Sequence, residues 1–168
     1  MTLSQRIPSI ALSVRQPWAW AIIHAGKPVE NRSKLAITKG GMRHGHIAIH
    51  ASKGMTRDEY EDARDFMATI GVRCPRPDEL VRGAIIGHVR CTGYTNKSES
   101  PWFFGPWALE LENPIACRPV PAIGQLGYFV WDELGQVAEP LPWMISWPER
   151  AVRTHEPRPK AIEQGLLI

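Results

Sequence analysis

Fifteen prolines and fourteen glycines run through this 168-residue chain, and they set the limits on its fold. Proline removes a backbone donor and breaks helix interiors, and glycine weakens regular structure, so long helices are disfavoured. At 15 of 168 residues, about 9%, proline stands well above the usual ~5%. The composition therefore predicts short elements joined by many turns. The length suits one well-buried core and is too short for two.

Hydrophobic periodicity places those elements. Ile10, Leu12 and Val14 alternate with Ala11, Ser13 and Arg15, the pattern of a half-buried strand. Pro17 fits the first position of a short helix and Gly26 the left-handed position just past its end. A second strand then opens over Val29 to Arg32. Leu35 to Gly45 reads as a mobile basic loop turning at Gly40-Gly41, and His46 to His50 alternates as another strand. Thr56 followed by Glu59 is a capping box. It opens a helix with Tyr60, Ala63, Phe66, Met67 and Ile70 on one stripe, ending at Gly71. Ala84 to Cys91 is apolar enough for a central strand, and Thr92 to Ser100 reads as a flexible polar loop. Trp107 to Leu111 and Tyr128 to Trp131 complete the strands, with Asn113-Pro114 and Pro119 to Pro121 as breakers.

Six short strands and two helices predict an α+β fold, a small, mostly antiparallel β-barrel with short helices at its ends. The predicted organisation is a disordered lead over 1–9, a domain over 10–132, and a Pro-rich C-terminal segment over 133–168, either a partly disordered tail or an extended arm that wraps the barrel through Trp143 and Trp147.

No run approaches the ~18 apolar residues of a membrane span. The N-terminus lacks a basic region followed by an apolar core, and the three cysteines include no Cys-x-x-Cys pair. The expectation is a cytoplasmic protein without a disulfide or metal framework, a cofactor or a membrane partner. Net charge is only +3, but from Asn31 through Arg57 no acidic residue occurs while Arg32, Lys34, Lys39, Arg43, Lys53 and Arg57 are basic. Such a segment is either an anion-attracting face or a solvated basic loop. His46 and His50 would share a strand face but stand ~13 Å apart, too far for one metal ion.

The chemistry concentrates behind the first glycine. An amine acts as base or nucleophile only when deprotonated, which desolvation favours, so Lys27 is a candidate reactive group; a phosphate anchor or an exposed loop lysine are the other readings. Glu30 and Arg32 share a strand face. They form either a structural ion pair or a recognition pair, with Glu30 on a base edge and Arg32 on a phosphate. Lys27 can reach Glu30 only if the strand starts after Pro28. Trp18, Trp102, Phe103 and Trp107 are candidate stacking surfaces for an unstacked base, and Lys53 is a second cationic contact.

Leu-Ser-Val-Arg-Gln-Pro-Trp-Ala-Trp-Ala-Ile-Ile from Leu12, then Gly26-Lys27 and Glu30-Asn31-Arg32, resembles the ASCH domain of the PUA-like superfamily. Gly83 to Gly87 and Trp107 to Pro114, followed by Pro119-Val120-Pro121 and Gly124, are similar to that family's later segments. The resemblance covers roughly residues 10–132. It implies a PUA-like pseudo-barrel with a cleft between barrel and helix that binds RNA or a nucleotide, and the candidate binding residues for such a cleft are Gln16, Trp18, Arg32, Lys53, Trp102, Phe103 and Trp107. It also implies a hydrolase alternative, acting on acetylated cytidine or on single-stranded RNA. There Lys27 is the reactive group, Glu30 stands where the family has a threonine, and Glu99 is the candidate for its glutamate.

Overall fold

Alternation along the first strand divides two apolar clusters of the described residues. In a computed structural model, which describes residues 6–39 and 44–148, strand β1 spans Ile10–Val14. Leu12 and Val14 enter the main core with Ile47 and Ile49, while Ala11 faces a smaller cluster with Ala48, Ile85, Ala122 and Phe129 on the opposite side. The chain continues through α1 (Trp18–His24), β2 (Val29–Arg32), α2 (Lys34–Lys39), β3 (Gly45–Ala51) and α3 (Arg57–Thr69). A 3-10 turn (Pro77–Glu79), β4 (Ala84–Thr95), β5 (Trp107–Pro121), β6 (Tyr128–Val130) and α4 (Pro142–Ile145) follow.

The six strands form one sheet in the order β2-β5-β4-β3-β1-β6. Among the described residues only β1 and β3 pair in parallel; the other four pairings are antiparallel. The sheet curls into a half-barrel. Arg32 on the edge strand β2 donates through Nη2 to the Ser13 carbonyl on β1 at 2.7 Å, although β1 lies four places away in the sheet. The α+β class and the barrel-like curl agree with the sequence pattern. Among the described residues no helix is long and apolar enough to cross a membrane.

Several local expectations need correction. Pro17 takes the N-cap position rather than the first helical one, and Trp18 starts α1. Residues 34–39 are helical instead of loop. The Ser33 hydroxyl accepts from Ala36 N–H at 3.0 Å and Ile37 buries against the core, which together stabilise a short helix. The predicted Gly40-Gly41 turn and Arg43 lie outside the described residues. Strand β4 runs on to Thr95, so the polar loop begins later, at Asn96.

Strand β5 passes through Asn113-Pro114 without stopping. Its register against β4 shifts at three places, and Asn113 takes a positive φ of 52°. Bulges of this kind admit residues that a regular ladder rejects.

Residues 6–9 lie in the expected lead, and Trp131 holds two of them, donating from Nε1 to Pro8 O at 2.7 Å and from its backbone to Ser9 O at 3.3 Å. Of the expected arm, residues 133–148 are described. Arg82, 3% exposed, donates to the carbonyls of Glu139 and Lys53. Trp147 packs edge-on to Tyr60 of α3 at 5.1 Å.

Helix α1 rests on β4 through one close approach. A Cβ on Gly87 would lie 2.5 Å from Ile115 O and 2.8 Å from Ile23 Cδ1, so the backbone of the neighbouring strand excludes a side chain there and Ile23 of α1 would have to move. Gly87→Ala is expected to destabilise the fold by about 1–3 kcal/mol. Urea unfolding should show the midpoint falling at constant slope.

Candidate functional site

Lys27, Glu30 and Arg32 converge inside the half-barrel. The backbone explains why. Gly26, at φ +69°, ends α1, Lys27 N–H reaches back to Ala21 O at 3.2 Å, and β2 begins at Val29, after Pro28. That start turns Lys27 towards the face that carries Glu30 and Arg32. The three side chains are 3%, 5% and 6% exposed respectively. Lys27 Nζ donates to Glu30 Oε2 at 2.6 Å and to Val29 O at 2.8 Å, and lies 5.7 Å from the Trp18 ring centroid. Glu30 Oε1 stands 3.6 Å from Arg32 Nη2.

One carboxylate thus sits between two buried cations. The ion pairing that the sequence offered for Glu30 and Arg32 is present, but in the core, where it resists screening by salt. Burial lowers the Lys27 pKa from its ordinary value, the Glu30 carboxylate pulls it back up, and the Arg32 charge pushes it down again.

The network continues to residues that the sequence reading did not nominate as a site. Arg32 grips the Ser13 carbonyl, and the Ser13 side chain lies 2.9 Å from His50 Nδ1. His50 Nε2 is 2.8 Å from Ala122 O. A carbonyl only accepts, so Nε2 carries the proton and Nδ1 accepts the Ser13 hydroxyl. Gly124 closes over the pair; a Cβ there would fall 2.7 Å from both Ser13 Oγ and His50 Cε1. A polar Ser13 inside an otherwise apolar strand was the available signal, because a buried hydroxyl requires a partner.

Burial lowers the His50 pKa below its ordinary 6.5, outweighing the bond to Ala122 O, which raises it. The unfolded chain binds a proton near pH 6.5 that folded His50 takes up only at lower pH. The folded state is therefore favoured above that range and loses stability as pH falls through it, by at most ~1.4 kcal/mol per pH unit. His88, lowered by burial and by His46, acts in the same sense. Comparing urea midpoints at pH 7.5 and 5.5 should show a smaller loss in His50→Gln than in the unsubstituted protein.

A cavity of about 240 Å³ opens beside Arg32, where the two ends of the curled sheet approach. Leu12, Ile37, Leu109 and Tyr128 wall it, with Leu126 and Lys39 exposed at its rim. None of the nominated indoles lines it. Trp18 and Trp102 are buried and pack with partly buried Phe66 and Phe104 in a cluster of tilted and edge-to-face rings whose centroids are 4.8–6.4 Å apart. Phe103 is partly buried against the same core. Asn31 pins this segment, donating to Trp102 O and accepting from Phe104 N–H, both at 2.9 Å.

Trp107 lies elsewhere, partly buried against the main core, under Lys34 at 5.6 Å and beside exposed Tyr94 at 5.6 Å. Gln16 is 2% exposed; its amide donates to Val81 O at 2.8 Å and accepts from Trp20 N–H at 2.9 Å, which holds the start of α1. Lys53 and Glu99 are both exposed, Glu99 in the loop after β4. Among the described residues no group of three or more His, Cys, Asp or Glu is arranged to hold a metal ion.

The arrangement can present a fixed guanidinium to a small planar ligand, backed by a carboxylate that also accepts from a buried amine. No protein-family model matches the chain, and no curated protein matches it.

Proposed function

We propose that the protein is an ASCH-like, PUA-like module that binds RNA or a nucleotide, taking one base into the cavity beside Arg32. The observation that carries this reading is an arginine fixed by a buried carboxylate and lining an otherwise largely apolar recess. A base is planar, apolar on its faces and rimmed by acceptors, and proteins read unstacked bases by stacking and by hydrogen bonds to their edges. About 240 Å³ lies below the ~300–1,000 Å³ of sites for drug-sized ligands, which suits one ring system rather than a whole nucleotide. The sugar and phosphate would stay outside, near exposed Lys39. In this reading Glu30 and Lys27 are positioning residues that hold Arg32. Trp107, with Tyr94 and Lys34, offers a stacking surface for a neighbouring base.

Titration with short single-stranded RNA at several salt concentrations tests it. Affinity should fall with salt at a logarithmic slope of about −0.7 per phosphate neutralised. Absence of binding at millimolar ligand, or binding indifferent to salt, would overturn it.

The Lys27–Glu30 contact supports a second reading, a hydrolase of acetylated cytidine or of single-stranded RNA. A buried amine with a lowered pKa, 2.6 Å from a carboxylate, can give up its proton and attack or activate. Turnover of acetylated cytidine lost in Lys27→Ala would favour it; turnover that survives the substitution would remove Lys27 from the mechanism.

A further inference from the structure

A second, larger cavity, of about 610 Å³, lies between α3, the segment after it and Trp147. Three arginines line it: Arg64 from the third turn of α3, Arg73 two residues past Gly71, and Arg76 at the N-cap of the 3-10 turn. Their spacing in sequence gives no hint of a common site. Gly71, at φ +77°, turns the chain back along α3 and brings them together.

Arg64 and Arg76 lie over one indole. The Arg64 guanidinium lies 4.8 Å and that of Arg76 5.9 Å from the Trp147 ring centroid. Trp147 is itself fixed, 3% exposed, with Nε1 donating to Glu61 Oε1 at 3.1 Å. Asp78 accepts from Arg76 Nε at 3.1 Å, and Asp65 lies 3.9 Å from Arg64 Nη1. Arginine forks stacked on an aromatic face and oriented by a carboxylate are pre-organised for planar, bidentate contact with oxyanions. Among the described lining residues the one carboxylate is Glu79, and it already accepts from Arg76 N–H at 3.0 Å.

The remaining walls are neutral. Tyr60 donates its hydroxyl to Pro75 O at 2.7 Å, and burial pushes the Cys74 thiol up to about 12, so no thiolate is available. Ala68 and Val72 supply apolar surface. The chemistry is that of binding without covalent attack.

We propose that this arginine-lined cavity is a binding site for a small molecule carrying two adjacent phosphates on an organic body, such as a nucleoside diphosphate, separate from the recess beside Arg32. Its volume falls in the ~300–1,000 Å³ range of such ligand sites. Three guanidiniums match more oxyanion positions than a single phosphate fills, and the apolar wall receives the organic body.

Calorimetric titration of the full chain with ADP, inorganic pyrophosphate and adenosine tests the proposal. ADP and pyrophosphate should bind and adenosine should not. Arg73→Glu, at an exposed position, should weaken ADP by about tenfold or more in protein whose urea unfolding stays cooperative, since a hydrogen bond to a charged group is worth at least one factor of ten. Arg64→Gln should weaken it in the same direction. Failure of both ADP and pyrophosphate to bind at millimolar concentration, or equal affinity in Arg73→Glu, would overturn the site.

Discussion

Glu30→Gln is expected to lower the unfolding free energy by about 3–5 kcal/mol, the cost of breaking a buried ion pair from one side. The substitution keeps the shape and removes the charge that separates Lys27 from Arg32. Two cations would then share a desolvated space with no carboxylate between them. Against a typical total of 5–15 kcal/mol, the loss is enough to leave a substantial unfolded population at moderate denaturant.

The companion experiment is the double substitution Lys27→Met with Glu30→Gln. It removes one cation along with the carboxylate, so it should be more stable than Glu30→Gln alone, and the cycle should show strong coupling. A loss below about 1 kcal/mol in Glu30→Gln would mean that the cluster is solvated like a surface pair.

Ala36→Trp should abolish occupancy of the recess beside Arg32, weakening RNA or nucleotide binding by at least tenfold. Ala36 lines that cavity from α2 and is only partly buried, so an indole can turn into the empty volume without displacing packed atoms. Filling a void differs from overpacking a dense core, and the urea midpoint should stay within about 1 kcal/mol of the original. The same variant should leave ADP affinity at the Arg64–Arg73–Arg76 cavity unchanged. Unaltered RNA affinity would mean that the ligand does not enter this recess.

Much of the architecture could be read from residue pattern because the relevant physics is local. The Thr56–Glu59 capping box, the Tyr60–Ala63–Met67 stripe and Gly71 define α3 within a turn of its ends, since each acts over three or four residues. The placement of Lys27 against Glu30 followed from Pro28 delaying the strand, which is also local. What escaped depended on distant partners. Residues 34–39 carry a basic, loop-like pattern, and their helix depends on Ile37 finding the core. Asn113-Pro114 breaks a regular strand but not one paired across bulges with β4.

The site divides in the same way. Arg32, Glu30 and Lys27 sit on one short segment and could be grouped from sequence. Ser13, His50 and the wall residues Leu109 and Tyr128 come from four strands, and curling of the sheet brings them near. The aromatic wall expected from Trp18 and Trp102 was not distinguishable from core packing, because both demand the same residue types. Gln16, adjacent to the motif, fills both faces of its amide with backbone partners.

Heteronuclear NMR titration of the labelled chain with cytidine 5′-monophosphate and with a short single-stranded RNA tests the central claim most directly. Saturable shifts are predicted at the amides of Leu12, Ile37, Leu126 and Tyr128 and at the Arg32 guanidinium, marking a base seated beside the buried Lys27–Glu30–Arg32 cluster. Saturable binding that leaves those signals unmoved, with shifts confined to other surfaces, would contradict the account.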